Sequence, residues 1–284
     1  MPRQVRIQFP CAYYHVMCRG DRRELIFEDD VDRRTFLRTL GEAAARTGWR
    51  IHAYVLMGNH YHLLLETPEA NLVAGMTWFQ TTYTVRFNAR HKRSGHLFGG
   101  RYKAVLVDGD GDADRGGGDY LATLIDYIHL NPVRARILKI KPGEYPDFAS
   151  YPWSSLPLYA GRPSLRPAFL ATGLAFDIFG LKDGPRGRRV FVERLAERAL
   201  GEKRDECGLA QIEGQSLQST LRRGWCYGTD AFKERLLRVA EAALEKKAGS
   251  GKAAANYRGQ EIRDHGTRCA GTNIGVENFV QSVA

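Results

Sequence analysis

Short β-type runs alternate along the first third of the chain with longer stretches of helical period. Residues 13–19 form a β-type run that ends in the polar turn Gly20-Asp21-Arg22-Arg23. From Asp30 to Thr47 the apolar positions Val31, Phe36, Leu37, Leu40 and Ala44 make a helical stripe, with Gly48 as its stop. Residues 50–57 and 60–66 are two β-runs separated only by Gly58-Asn59, the signature of an antiparallel hairpin. A second helix is predicted over about 71–91, with Leu72, Met76, Phe79, Tyr83 and Phe87 on one side, and a fourth strand over 102–108. The predicted order is β-α-β-β-α-β, an α+β chain with a ferredoxin-like, four-stranded antiparallel sheet. Right-handed crossovers put both helices on one face of such a sheet and leave the other face open for function.

After the fourth strand the run from Gly109 to Gly118 is so rich in Gly and Asp that it reads as a flexible loop. Its alternating aspartates lack the twelfth-position Glu of a calcium loop. Asp119 is a predicted N-cap opening a helix that Asn131-Pro132 should end, because a residue before proline avoids the α region. A proline- and aromatic-rich connector over 142–167 places a domain boundary, giving a domain at 1–161 and a helical C-terminal extension at 162–284. In the extension, helices are predicted at about 186–201, 216–223 and 230–247, and the stretch from 266 to 284 is expected to be loosely ordered.

Charge narrows the function classes. The chain of 284 residues carries a net charge of +10, which points first to a nucleic-acid partner and second to a membrane surface. No apolar run approaches the roughly 20 residues needed to span a bilayer, and the N-terminus has no signal-peptide core. The five cysteines are scattered without zinc spacing and are read as reduced thiols of a cytosolic protein.

Two constellations could carry chemistry. On a strand beginning at His60, side chains alternate faces, so His60 and His62 share one face and could share a divalent metal. Two half-buried histidines without a ligand would give the same pattern. In the predicted helix from 120, Tyr127 and Asn131 are one turn apart on one face. A tyrosine hydroxyl beside a metal-binding pair is a candidate nucleophile, and Asn131 a candidate third ligand. The same spacing fits a packed tyrosine and a capping asparagine, and spacing alone leaves Tyr120 and Tyr83 as rival tyrosines.

Four segments together resemble one family: Tyr14-His15-Val16, the run Ala53 to Leu64 with Gly58-Asn59-His60-Tyr61-His62, the run Gly95 to Lys103, and Tyr127-Ile128-His129-Leu130-Asn131-Pro132-Val133-Arg134-Ala135. The family is the IS200-like single-tyrosine (Y1) transposases, in particular the REP-associated tyrosine transposases, and the resemblance covers about residues 3–161. It implies that His60 and His62 bind Mg²⁺ or Mn²⁺, with Asn131 as a further ligand, and that Tyr127 is the nucleophile. It implies a substrate of single-stranded DNA with a REP-like foldback hairpin, cut and rejoined through a 5′-phosphotyrosine. The site of action would be the cytoplasm, on the nucleoid, with the protein a monomer or homodimer and no membrane involved. Gly58 stands where the family usually has proline, which loosens the turn before His60, and Gly99 stands where glutamine is usual.

Basic residues suggest where a strand would lie. Arg86, Arg90, Lys92, Arg93, Arg101 and Lys103 fall in one stretch without a carboxylate, and Phe87, Phe98 and Tyr102 are interleaved as candidate stacking surfaces. Arg3, Arg6, Arg19, Arg22 and Arg23 make a second patch. Two rival classes stay open: a non-catalytic single-stranded nucleic-acid-binding protein, and a metal-dependent nuclease in which water attacks.

Overall fold

The computed structural model describes residues 6–109, 120–138, 146–204 and 225–249. The first four strands follow the predicted order: β1 (Ala12–Arg19), α1 (Asp30–Thr47), β2 (Arg50–Leu56), β3 (His60–Thr67), α2 (Leu72–His91) and β4 (Lys103–Val107). They are mutually antiparallel in the spatial order β2-β3-β1-β4. Then come α3 (Tyr120–Arg134), α4 (Leu156–Ala160), α5 (Gly173–Ile178), α6 (Pro185–Arg204), the two-residue strand β5 (Cys226–Tyr227) and α7 (Asp230–Gly249). β5 pairs parallel to β4 and extends the sheet to five strands, where a purely helical extension was expected. Two residues are too short for any periodicity to register.

The sheet separates two cores. On one face Tyr14, Val16, Tyr61, Leu63 and Leu65 pack with Phe36 and Leu40 of α1 and Met76, Phe79 and Tyr83 of α2. Aromatic rings fill this layer, with Phe36 within 5.0 Å of Phe79, Tyr61 and Tyr83 by ring centroids. Both crossover helices thus lie on one face, as right-handedness requires. The opposite face is covered where an open one was expected: Val55, Leu64 and Val107 pack with Leu124, Ile125, Tyr127 and Ile128 of α3. Phe176 of α5 and Phe191, Leu195 and Ala199 of α6 join this same core, so residues beyond 161 help hold α3 on the sheet.

Helix ends follow local chemistry, with one exception. Asp29 caps α1 by accepting from the Val31 and Asp32 N–H groups, and Gly48 closes it in the left-handed region at φ 73°. The exception is α3, which passes through Pro132 and ends at Arg134. Pro132 sits within a turn of the helix end, so it removes one backbone hydrogen bond where few remain to lose. Asp119, the Gly/Asp loop after Gly109, the predicted helix at 216–223 and the stretch 266–284 lie outside the described residues. Cys18 and Cys226 are free thiols, but Cys11 is disulfide-bonded, contrary to the expectation of five reduced cysteines.

Candidate active site

The β2–β3 turn places the first histidine. Met57 N–H donates to the His60 carbonyl at 2.8 Å across Gly58-Asn59. The turn is not loose: Gly20 N–H donates to Asn59 O, Ile26 N–H to Gly58 O, and Asn59 Nδ2 to Arg23 O. Gly20 is required there, because a Cβ would meet the Glu24 carbonyl oxygen at 2.2 Å. The bond to Arg23 O fixes the Asn59 amide, so its Oδ1 is the atom 2.8 Å from His60 Nδ1. An amide oxygen only accepts, so Nδ1 carries the proton of neutral His60 and Nε2 keeps the lone pair.

Strand register places the second histidine and a third that spacing alone did not assign. His62 lies opposite Met17 of β1 and Val55 of β2, and Met17 in turn lies opposite Lys103 of β4. His15, two residues from Met17, is the diagonal neighbour of His62. The rings stack at 5.1 Å between centroids, with His15 Nε2 2.9 Å from His62 Nδ1. His15 has no solvent exposure, and burial, helped by the Lys103 charge, drives its pKa down to about 3. It is therefore a neutral ring able to accept from His62 Nδ1, leaving the His62 lone pair on Nε2.

Tyr127 projects from α3 onto this pair. Its ring meets His62 edge-on at 5.7 Å and His15 at 5.9 Å, and the Arg134 guanidinium lies 5.1 Å from its centroid. Asn131 Nδ2 donates to the Tyr127 carbonyl at 2.8 Å, so Oδ1 is the atom that could serve as a ligand. The rival tyrosines are elsewhere. The Tyr83 hydroxyl donates to Ile26 O in the α1/α2 core, and Tyr120 packs on Tyr227 at 4.7 Å. Asp126, beside Tyr127, is buried and held by Arg194 and Arg198 of α6 at 2.5–2.8 Å, which ties α3 down.

These groups share one cleft of about 460 Å³, whose lining includes His60, His62, Tyr127, Asn131, Arg19, Arg22, Arg101 and Lys103. Arg23 of the second predicted patch lines it too, whereas Arg86, Arg90, Lys92 and Arg93 do not. Arg90 pairs with Asp29 and Asp32 at 2.5 and 2.6 Å, Arg93 with Glu28 at 2.5 Å and Arg86 with Glu42 at 2.8 Å. The carboxylates missing from the stretch 86–103 come from α1 and its approach, so the one-sided charge exists only along the sequence. Lys92 is the left-handed C-cap of α2 at φ 51°, likewise away from the cleft. Phe87 and Phe98 are core residues, 2% and 8% exposed, and not stacking surfaces.

The donor set fits a hard or borderline divalent ion of low protein coordination. Two imidazoles binding one ion at about 2.1 Å place their centres roughly 3.3 Å from it, hence no more than about 6.5 Å apart. His60 and His62 are 5.2 Å apart at 81°. Among the described residues no cluster of three or more His, Cys, Asp and Glu side chains could hold a metal, so a third protein ligand would be an amide oxygen such as Asn131 Oδ1. Substrate oxygens and water would fill the remaining positions, as Mg²⁺ and Mn²⁺ sites allow.

Residues 9–129 match the family model described as "Transposase IS200 like". The fold is similar to that of a REP-associated tyrosine transposase bound to a REP hairpin, at 15% identity and TM-score 0.45, covering 61% of this chain and 93% of that one. It is also similar to a Deinococcus radiodurans protein assigned as a transposase, at 19% identity and TM-score 0.31, covering 38% and 87%. No curated protein sequence matches the chain. Among the described residues no helix is long and apolar enough to cross a membrane. Over residues 9–129, under half of its length, the chain is similar to the IS200-like transposases.

Proposed function

We propose that the protein cuts and rejoins single-stranded DNA at or near hairpins through a covalent 5′-phosphotyrosine on Tyr127. One observation carries this: a single basic cleft gathers Tyr127, His60, His62 and Asn131 with Arg19, Arg22, Arg101 and Lys103. These basic side chains, with Arg23, attract and orient strand phosphates. The Tyr127 hydroxyl oxygen attacks in line, its bond to phosphorus forms as the bond to the 3′ oxygen breaks, and the phenolic proton ends on that oxygen. A DNA 3′-OH later attacks the phosphotyrosine and returns the proton to Tyr127, so rejoining needs no nucleotide hydrolysis. His60, His62 and Asn131 would hold Mg²⁺ or Mn²⁺, which when bound polarises the scissile phosphate and stabilises the charge developing on it. The hairpin form of the substrate follows from the resemblance to REP-associated enzymes, and the bacterial nucleoid is the corresponding site of action.

A hairpin oligonucleotide labelled 3′ of the scissile phosphate tests the proposal. The wild type should form a denaturant-stable adduct with Mg²⁺ or Mn²⁺ and none with chelator. Tyr127→Phe should lose adduct and cleavage while retaining binding, and Tyr83→Phe and Tyr120→Phe should keep both. Cleavage without adduct would assign the attack to water. Strand binding without cleavage under any metal would make the protein a binding module.

A further inference from the structure

One amine lines the cleft that holds Tyr127. Lys103 opens β4, where Ala104 and Leu106 face the α1/α2 core, so its side chain lies on the α3 side with Val107. It stands opposite Met17 of β1, which stands opposite His62 of β3, so the three form one cross-strand row in the cleft. Two strand spacings separate Lys103 from His62, about 10 Å between Cα atoms. A flexible four-carbon stem covers much of that span toward an ion held on the histidines. The side chain is half-buried, its ammonium is open to solvent, and it has no hydrogen bond or ion pair among the described residues.

A departing 3′ oxygen needs a proton, and few protons in this lining can move. Arg19, Arg22, Arg23 and Arg101 do not release theirs. His60 and His62 commit their N–H groups to Asn59 and His15 and turn lone pairs toward the ion position. The Asp21 carboxylate only accepts. The Cys18 thiol packs on the opposite face of the sheet, and burial raises its pKa. Lys103 differs from all of these: burial disfavours its charged form and lowers its pKa from 10.5, which loosens its proton.

We propose that Lys103 is the general acid of the cleavage step, giving a proton from Nζ to the departing 3′ oxygen. This role rests on the tyrosine mechanism proposed above. As the Tyr127 oxygen bonds to phosphorus and the bond to the 3′ oxygen breaks, one ammonium proton moves to that oxygen. Solvent takes the phenolic proton and returns one to the amine, so the net transfer is from phenol to 3′ oxygen. In rejoining, the same group as a neutral amine takes the proton of the attacking 3′-OH.

The test compares two hairpin oligonucleotides with the full chain and Mn²⁺, one with the natural scissile linkage and one with sulfur in place of the bridging 3′ oxygen. A thiolate leaves without a proton, since a thiol is far more acidic than an alcohol. Single-turnover adduct formation at saturating protein is read for wild type, Lys103→Met and Lys103→Arg. On the oxygen linkage both variants should be about 100- to 10,000-fold slower than wild type, the usual worth of a positioned acid. On the sulfur linkage both should come within about 5-fold of it. Lys103→Arg keeps the charge and the phosphate contact but cannot release a proton, so its loss and recovery isolate proton transfer from binding and folding. Arg101→Met should weaken binding equally for the two linkages. Equal slowing of the Lys103 variants on both linkages, or a Lys103→Arg enzyme as fast as wild type on oxygen, would overturn the role. The two proposals fail differently. Wild-type adduct with equal slowing removes Lys103 alone, whereas no wild-type adduct on either linkage removes the tyrosine mechanism and this role with it.

Discussion

Asp126 anchors α3 beside Tyr127, the proposed nucleophile. Asp126 is 1% exposed at its side chain and accepts three charge-assisted hydrogen bonds, two from Arg194 at 2.5 and 2.8 Å and one from Arg198 at 2.6 Å. The two arginine side chains keep 28% and 42% of their surface in water, so the carboxylate alone bears the full desolvation cost. Removing the arginines should therefore hurt more than removing the acid. Arg194→Met with Arg198→Met strands a buried carboxylate and should cost about 3–5 kcal/mol. Asp126→Asn keeps the shape, frees two cations that reach solvent, and should cost about 2 kcal/mol.

Urea unfolding measures these costs, and adduct formation per folded molecule measures their effect on the site. If the anchor acts by holding α3, a displacement of about 1 Å at Tyr127 should slow chemistry by roughly 100-fold. Adding Asp126→Leu to the two methionines replaces the triad with apolar side chains and should restore most of the stability. Adduct formation should return with it. A double arginine variant within about 0.5 kcal/mol of wild type would refute the anchor. A triple variant that is stable yet inactive would show that the charges act on the chemistry and not on the helix position.

Three further outcomes are expected. His15→Leu removes the ring that orients His62 and should weaken Mn²⁺ binding, read by calorimetry, about 10- to 100-fold while His60 remains in place; unchanged affinity would mean that His15 only fills space. Replacing Arg101 and Lys103 together by Ala should lower the slope of log K against log salt for single strands by about 1.4, and an unchanged slope would remove both from the phosphate path. Burial alone would raise the Asp32 carboxyl, but the Glu28 N–H, His91 and Arg90 outweigh it and hold the carboxyl below its usual range. A depressed folded pKa gives stability that is present above about pH 4 and lost as pH falls, so Asp32→Asn should flatten the acid limb of the stability curve, and an unaltered limb would contradict this.

The fold was legible where pattern and sterics coincide. The hairpin, both crossover helices and the strand order follow from periodicity, Gly48 and Gly58-Asn59, because each element is long and carries its own stop signal. The site was legible as separate residues whose meeting needed register: His60 and His62 from alternation, Tyr127 and Asn131 from helical spacing. His15 has no role legible in the sequence, since its bond to His62 depends on how β1 pairs with β3. The charge of Arg90 and Arg93 misled because their partners lie about 60 residues upstream by Arg90–Asp29 and Arg90–Asp32 spacing, 61 and 58 residues, beyond any window along the chain. Pro132 was overruled by burial, with α3 packed against the sheet and α6 on both sides of that position.

The division of labour in this fold comes down to the parity of one strand. β3 sends Tyr61, Leu63 and Leu65 into the α1/α2 core and His60, His62 and Leu64 to the α3 side. A slip of one residue would exchange the two sets, burying imidazoles among Phe36, Phe79 and Tyr83 and placing Tyr61 in the cleft. Apolar alternation alone resists that slip weakly near the strand start, where histidine and tyrosine are both amphipathic. The turn resists it strongly: Gly58 and Asn59 are tied by backbone bonds to Ile26 and Gly20, and by the Asn59 amide to Arg23. The same amide orients His60 through Oδ1, so one side chain sets both the register and the ring that faces the cleft. The loop between β1 and α1 therefore belongs to the candidate site, which it lines through Gly20, Asp21, Arg22 and Arg23: Gly20 admits the turn, Asn59 reads the turn's position, and the placement of His60 and His62 in the cleft follows from it.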